Sequence, residues 1–221
     1  MQKKRNGAID FWRFVFSICI VLCHVIYLNS YGKWIEEGKF WFAGFYIGVE
    51  YFFLVSGFLM AKSANKSEGI NGYVQFILNK LRGFYPDYLF AFCLSILVMN
   101  LAKGPYIFVF PDNLYDLALM QMFGLGGTNF IVGGSWYLSA MLISMAILFP
   151  VLCNKNKFEI FLRCGAPLVS LFLLGWLYRQ EGTLAIAAQW NGFFAKGILR
   201  AIAELCLGCV AYDVVNILKK I

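Results

Sequence analysis

The chain has 221 residues, of which 61% are hydrophobic and only 14% charged, with a net charge of +7. A soluble globular domain carries roughly 45–50% apolar and about 25% charged residues, so the composition argues against one. It also argues against a nucleic-acid binder, because the lysines and arginines fall between apolar blocks and form no contiguous basic face.

The first apolar block, residues 8–28, follows the basic run Gln2-Lys3-Lys4-Arg5. It is too long for a signal-peptide core, it carries Arg13 and His24, and no small-x-small cleavage site follows, so it is expected to remain as a first span. Five more blocks near the 20 residues a helix needs to cross a bilayer follow at 40–61, 84–102, 134–153, 158–178 and 197–215. A polar stretch from Lys62 to Gly72 separates the second from the third. Two shorter segments, 114–125 and 184–195, are below spanning length and are expected as re-entrant or interfacial pieces. The predicted fold is an all-α, polytopic transmembrane helix bundle forming one domain over residues 1–221, with the lipid bilayer as its first partner.

With six spans, both termini lie on one side. Placing them in the cytoplasm puts twelve basic residues on inside loops against four outside, which by the positive-inside rule sets the orientation. The cytoplasmic parts are then the N-terminus, the Lys62–Arg82 loop, the Asn154–Arg163 loop and the C-terminus. Counting 114–125 as a span would reverse this for Lys155, Lys157 and Arg163.

Ionisable side chains inside a span are costly, and each asks for a reason. Asp10, Arg13, Ser17 and His24 lie on one stripe of the first helix. Arg13 and His24 are only about 20° apart around the axis and roughly 16 Å apart along it, with Ile20 interrupting the line. A local Asp10–Arg13 pair with a snorkelling arginine explains the first two residues but not His24. His24 is the chain's one histidine, a candidate general base near neutral pH.

In the second span, Glu50 needs a partner or a proton. Gly44 and Gly48 form a G-x-x-x-G that lets another helix approach. Because this span runs antiparallel to the first, Ser56 is expected at the depth of Arg13. In the last span, Arg200 and Glu204 are spaced as an i,i+4 pair. Cys206 and Cys209 form a C-x-x-C within an apolar segment with no second ligand pair. They read as packing residues, and no metal site is expected. Trp136 and Tyr137, near the outer end of the fourth span, fit an aromatic belt, with sugar stacking as the functional alternative.

Ile9-Asp10-Phe11-Trp12-Arg13, with His24 ten intervening residues later, resembles the R-x10-H signature of the acyltransferase-3 family of membrane acyltransferases. Gly48-Val49-Glu50-Tyr51-Phe52-Phe53-Leu54-Val55-Ser56-Gly57-Phe58-Leu59 resembles that family's second-span signature, as do Phe84-Tyr85-Pro86 and Trp136-Tyr137-Leu138-Ser139 the later motifs. The resemblance implies transfer of an acyl group, commonly acetyl from acetyl-CoA, to hydroxyls of surface polysaccharides or other exported molecules. It makes His24 the base and Arg13 its signature partner; Glu50, from its place near mid-span, is a further catalytic candidate. Lys80 and Arg82, with Ser56, fall to the acyl-CoA, and Trp136 and Tyr137 to the carbohydrate acceptor. The family's R-x-x-R motif is altered, since Lys80 fills the first position and Gly83 the second. Fuller members continue with further spans, so the chain is expected to be the N-terminal part of such an enzyme or a short variant of it. A proton-coupled transporter or channel built on the Arg13–His24 stripe and Glu50, or an inactive remnant, are the alternatives.

Overall fold

The computed structural model describes residues 6–28, 43–67, 69–105, 112–124, 131–184, 190–191 and 194–220. Lys3, Lys4, Arg5, Lys33 and Lys39 of the charge count, the first residues of the expected 40–61 span, and most of the 184–195 segment lie outside the described residues.

Six helices are long and apolar enough to cross a membrane: Gly7–Val25, Gly44–Ala64, Asn71–Ala102, Trp136–Cys153, Lys155–Glu181 and Lys196–Leu218. The helices are α1 (Gly7–Leu28), α2 (Ile47–Ala64, entered through a 3-10 turn at Ala43–Tyr46) and α3 (Gly69–Lys103). They continue with α4 (Asp112–Leu117), α5 (Trp136–Cys153), α6 (Lys155–Ile160), α7 (Ala166–Glu181) and α8 (Lys196–Leu218). A π-helical turn at Phe161–Gly165 joins α6 to α7. Near 184–195, which the sequence predicts as a re-entrant or interfacial piece, the described residues form an extended pair, β1 (Trp190–Asn191) against antiparallel β2 (Phe194–Ala195).

The other short segment folds inward. α4 and a 3-10 turn at Gln121–Phe123 pack on the middle of α3, where the hydroxyls of Tyr85 and Tyr88 donate to the carbonyls of Leu117 (3.2 Å) and Asp116 (2.6 Å). Backbone away from water must be satisfied within the protein, and these tyrosines supply part of what so short a helix leaves open.

The third span departs most from its expected bounds. α3 has 35 residues, about 52 Å of helix, and it takes in Lys80 and Arg82, which sequence placed in a loop ahead of the span. A hydropathy average over 69–83 is diluted by Asn71, Gln75, Asn79, Lys80 and Arg82. The same stretch carries Tyr73, Phe76, Ile77 and Phe84 at helical spacing, and these pack on the core with the buried Phe76 stacked at 3.9 Å on Phe149 of α5.

α2 is the hub. It meets α1 in antiparallel order, with Phe16 and Ile20 against Gly48 and the Phe16 ring stacked at 4.4 Å on Tyr51. It meets α8 in parallel order: Glu50 with Arg200, Gly57 with Leu205, Asn65 with Tyr212. It is parallel to α5 as well, since Phe53 touches Tyr137 and the Asn65 carbonyl accepts from Lys155 just past that helix. The end of α1 and the starts of α2, α5 and α8 therefore share one end of the bundle.

α2 and α8 approach each other closely at two glycines. A Cβ on Gly57 would sit 2.1 Å from the Leu205 carbonyl oxygen, and one on Gly208 would sit 2.1 Å from that of Leu54. The G-x-x-x-G expectation holds at one of its two glycines, because Gly48 abuts Ile20 whereas Gly44 has nothing within 4 Å among the described residues. Gly57→Ala and Gly208→Ala should each lower the thermal-unfolding midpoint in detergent, with a loss of the ~1–3 kcal/mol typical of overpacking or more, because backbone cannot step aside. Gly44→Ala should leave the midpoint unchanged.

Candidate functional site

α1 forms without a break through its polar residues because their side chains find local partners. Ser17 Oγ donates to the Arg13 carbonyl at 2.8 Å, and His24 Nδ1 lies 2.8 Å from the Ile20 carbonyl. A carbonyl only accepts, so Nδ1 carries the proton, and in the neutral imidazole the lone pair falls on Nε2. His24 is exposed, which leaves Nε2 open to a reacting hydroxyl. Ile20, the residue that interrupts the polar stripe, is thus the one whose backbone sets the histidine's tautomer.

Arg13 is half-exposed and pairs with Asp10 at 3.9 Å, the local pair expected from sequence. Its charge reaches the hydroxyls of Tyr51 on α2 and Tyr137 on α5. The Tyr51 hydroxyl donates to the Ile9 carbonyl at 3.4 Å, tying α2 to the same turn of α1. Arg13 therefore lies on the stretch of α1 that Tyr51 reaches, between Ile9 and Phe16, whereas His24 stands about three turns further along α1.

Glu50 is committed elsewhere. Arg200 of α8, its side chain 2% exposed, lies 3.3 Å from the Glu50 carboxylate and 2.6 Å from that of Glu204, itself 5% exposed. Sequence spacing gave the Arg200–Glu204 pair. Glu50 as its third member was not foreseen, since only the α2–α8 packing brings it there. Ser56 is buried next to the Gly57 contact.

Lys80 and Arg82 share α3 but not a face, since residues two apart point about 200° from each other. Lys80 Nζ lies 5.8 Å from the Phe76 ring centre, and Arg82 is exposed. Trp136 and Tyr137 pack on protein as well: both rings lie against Phe53, at 6.4 and 5.4 Å, and Tyr137 also against Phe52. Cys206 and Cys209 are fully buried in the core. Among the described residues no cluster of His, Cys, Asp or Glu has the makings of a metal site.

Sequence reasoning missed a buried polar node beside α3. Gln121 Nε2 is shared among the Asp116 carbonyl (3.2 Å), Tyr88 Oη (3.3 Å) and Ser135 Oγ (3.0 Å). The amide orientation is fixed because the Asp116 carbonyl can only accept. Asp116 Oδ2 takes the Ile131 N–H at 2.6 Å, and Ser139 Oγ takes the Met122 N–H at 3.2 Å. Burial pushes the Asp116 carboxyl above the usual carboxylate range, against the Ile131 N–H that favours the anion. The only hint in sequence was Asp116 and Gln121 inside an otherwise apolar short segment.

The Arg200 cluster should behave as structure. Removing one member of a buried ion pair costs about 3–5 kcal/mol, whereas replacing both by apolar groups is often near neutral. Arg200→Leu should sharply reduce the yield of monodisperse protein, and Arg200→Leu with Glu204→Leu should restore most of it. Glu50→Gln, at a side chain 36% exposed, should cost about 1 kcal/mol or less. Size-exclusion yield and melting midpoint measure all three.

Comparison with curated proteins and with solved structures returns no match. A family model described as an acyltransferase domain, acyltransferase-3, matches residues 6–220. That span takes in α1 with Arg13 and His24, the whole of α2, the α3–α5 node and the α8 charge cluster. The chain is a multi-pass membrane protein belonging to the acyltransferase-3 family.

Proposed function

We propose that the chain is an O-acyltransferase that moves an acyl group, acetyl in the simplest case, from acyl-CoA to a hydroxyl of a cell-surface or exported carbohydrate. The observation that carries this reading, beside family membership, is the placement of His24: its Nδ1 lies 2.8 Å from the Ile20 carbonyl on an exposed residue, so a hydrogen bond donated there leaves Nε2 as the nitrogen that can accept a proton. In the proposed step Nε2 takes the proton of the acceptor hydroxyl as its oxygen attacks the thioester carbonyl. The tetrahedral adduct collapses with loss of the CoA thiolate, which receives that proton, and the acyl group stays on the acceptor oxygen.

Arg13, roughly 16 Å along the helix from His24, is too far to share the reacting carbonyl, so its role is toward the extended pantetheine arm. The donor's phosphates are assigned to Lys80 and Arg82. Since these diverge around α3, they act as separate point charges and not as one cradle. Ser56 sits on the donor side, and Glu50, held by Arg200, keeps α2 and α8 in register. The orientation proposed with this reading has both termini in the cytoplasm, which puts the His24 end of α1 outside.

His24→Ala and His24→Gln should each lower transfer of labelled acetyl by about 10²–10⁴-fold per inserted molecule, without loss of insertion or melting temperature. Normalised transfer near wild type in either variant would refute the mechanism. Reporter fusions at Lys157 and at the C-terminus should both report cytoplasm, and a fusion at Lys157 that reports the outside would reverse the orientation.

A further inference from the structure

The short segment from α4 to Phe123 buries two polar side chains, Asp116 and Gln121, at 4% and 6% exposure. No cation is at hand for the carboxyl. The sequence has no lysine or arginine between Lys103 and Lys155, and α3 has none between Arg82 and Lys103. The titratable side chains on the elements packed around Asp116 are Tyr85, Asp87 and Tyr88 in residues 84–92 of α3, Asp112 and Tyr115 on its own helix, and Tyr137 in residues 131–139. A carboxylate buried without a cation is a costly arrangement, and such a group sheds its charge by holding a proton.

The hydrogen bonds decide which oxygen takes it. Oδ2 accepts the Ile131 N–H at 2.6 Å, while Oδ1 has no partner among the described residues. Gln121 is the complement. Its Nε2 is committed to the Asp116 carbonyl, Tyr88 Oη and Ser135 Oγ, and its Oε1 has no donor. Two buried side chains, five residues apart and joined at 3.2 Å, thus each keep one bare acceptor. Ionised Asp116 cannot remedy this, since both atoms then only accept. One proton on Oδ1 makes it a donor and satisfies both. Burial moves the carboxyl in the same direction, above the usual carboxylate range, with the Ile131 N–H and the Gln121 amide opposing it in part.

We propose that Asp116 is held as the neutral acid, its Oδ1–H donating to Gln121 Oε1, and that this proton is a switch fastening the segment from α4 to Phe123 onto α3 and α5. Gln121 holds Tyr88 and Ser135, Asp116 holds Ile131, and Ser139 of α5 holds Met122. Tyr88 and Ser135 also line a cavity of about 310 Å³ between residues 84–91 of α3 and residues 132–138, the segment that leads into α5. When the proton leaves for water, two unpaired acceptors remain, one of them charged, and the amide that fixes both cavity hydroxyls loses its own anchor. The folded carboxyl titrates above its unfolded value. The contribution to stability is therefore complete at low pH and is lost as pH rises from the usual carboxylate range through the folded value. None of these residues enters the acyl transfer proposed above.

The test follows unfolding of the purified full chain in detergent, from about pH 4 to about pH 8, for wild type, Asp116→Asn and Asp116→Ala. Asparagine copies the neutral acid, with a carbonyl for the Ile131 N–H and an amide N–H for Gln121 Oε1, but it has no proton to lose. The wild-type melting midpoint should therefore fall relative to that of Asp116→Asn by about 3–5 °C per pH unit while Asp116 titrates. Asp116→Ala, which offers neither group, should melt below Asp116→Asn throughout. Amide exchange should locate the change. The ratio of wild-type to Asp116→Asn rates should rise with pH in peptides covering 112–124 and stay near one in α2 and α8. Parallel midpoints in wild type and Asp116→Asn, an Asp116→Asn protein that melts lower or does not fold, or an unchanged exchange ratio in 112–124 would overturn the switch. So would a wild-type midpoint higher in sodium than in choline chloride and indifferent to sodium in Asp116→Asn, which would put a metal cation in the proton's place.

Discussion

Two glycines set how near α2 and α8 can come, and the rest of the bundle is arranged around that approach. Gly57 and Gly208 each present bare backbone to the other helix, and a Cβ at either would sit 2.1 Å from a carbonyl oxygen. Apolar surface gives no hydrophobic drive between helices in lipid, so close backbone packing and interhelical polar contacts must hold them. This contact brings both: the Cys209 thiol lies 3.7 Å from the Gly57 carbonyl, and the parallel register puts Arg200 beside Glu50. The remaining faces of α2 are then oriented, Gly48 and Tyr51 toward α1 and Phe53 toward Trp136 and Tyr137. A shift of one residue along α8 would turn each of these contacts by about 100° and separate the charges.

The ionisable residues divide by what surrounds them. Arg200 and Glu204 are almost wholly buried, with Arg200 paired both to Glu204 and to Glu50. His24 is exposed on an apolar helix and uses only one ring nitrogen internally. Stability gains nothing from a solvated histidine in such a helix, which is why function is sought there and not at the better-connected cluster. Arg13 stands between the classes, partly exposed and paired with Asp10 at 3.9 Å.

What could be read from sequence follows from the range of each cause. Span count depends on length and apolarity, which are local, and six helices stand close to the six apolar blocks. The Asp10–Arg13 and Arg200–Glu204 pairs depend on spacing within one helix and were equally legible. The reach of α3 down to Gly69 was hidden because an amphipathic helix packed on protein has mediocre average hydropathy. Glu50's partner and the Gly57–Gly208 contact lie about 150 positions apart in sequence, and no periodicity reports them. Gly44 and Gly48 show the limit of a motif, since a G-x-x-x-G offers two bare sites but only the facing helix decides which is used.

Under the proposed function, the geometry of α1 bears on how one helix serves a donor and an acceptor that approach from opposite faces of a membrane. A rise of 1.5 Å per residue puts Arg13 and His24 about 16 Å apart, roughly half the hydrocarbon thickness, while the eleven-residue spacing keeps them on one side of the helix. A rigid helix with two such groups is a ruler that lies along the direction an extended thioester must take to present its carbonyl at the far end. Tyr137 lines the cavity between α3 and the segment leading into α5, and its ring lies on Phe52 and Phe53. The residues that hold it, Phe52 and Phe53 of α2, belong to the helix fixed by the Gly57–Gly208 contact. A change in the α2–α8 register would thus move Tyr137 relative to α1 without touching Arg13 or His24.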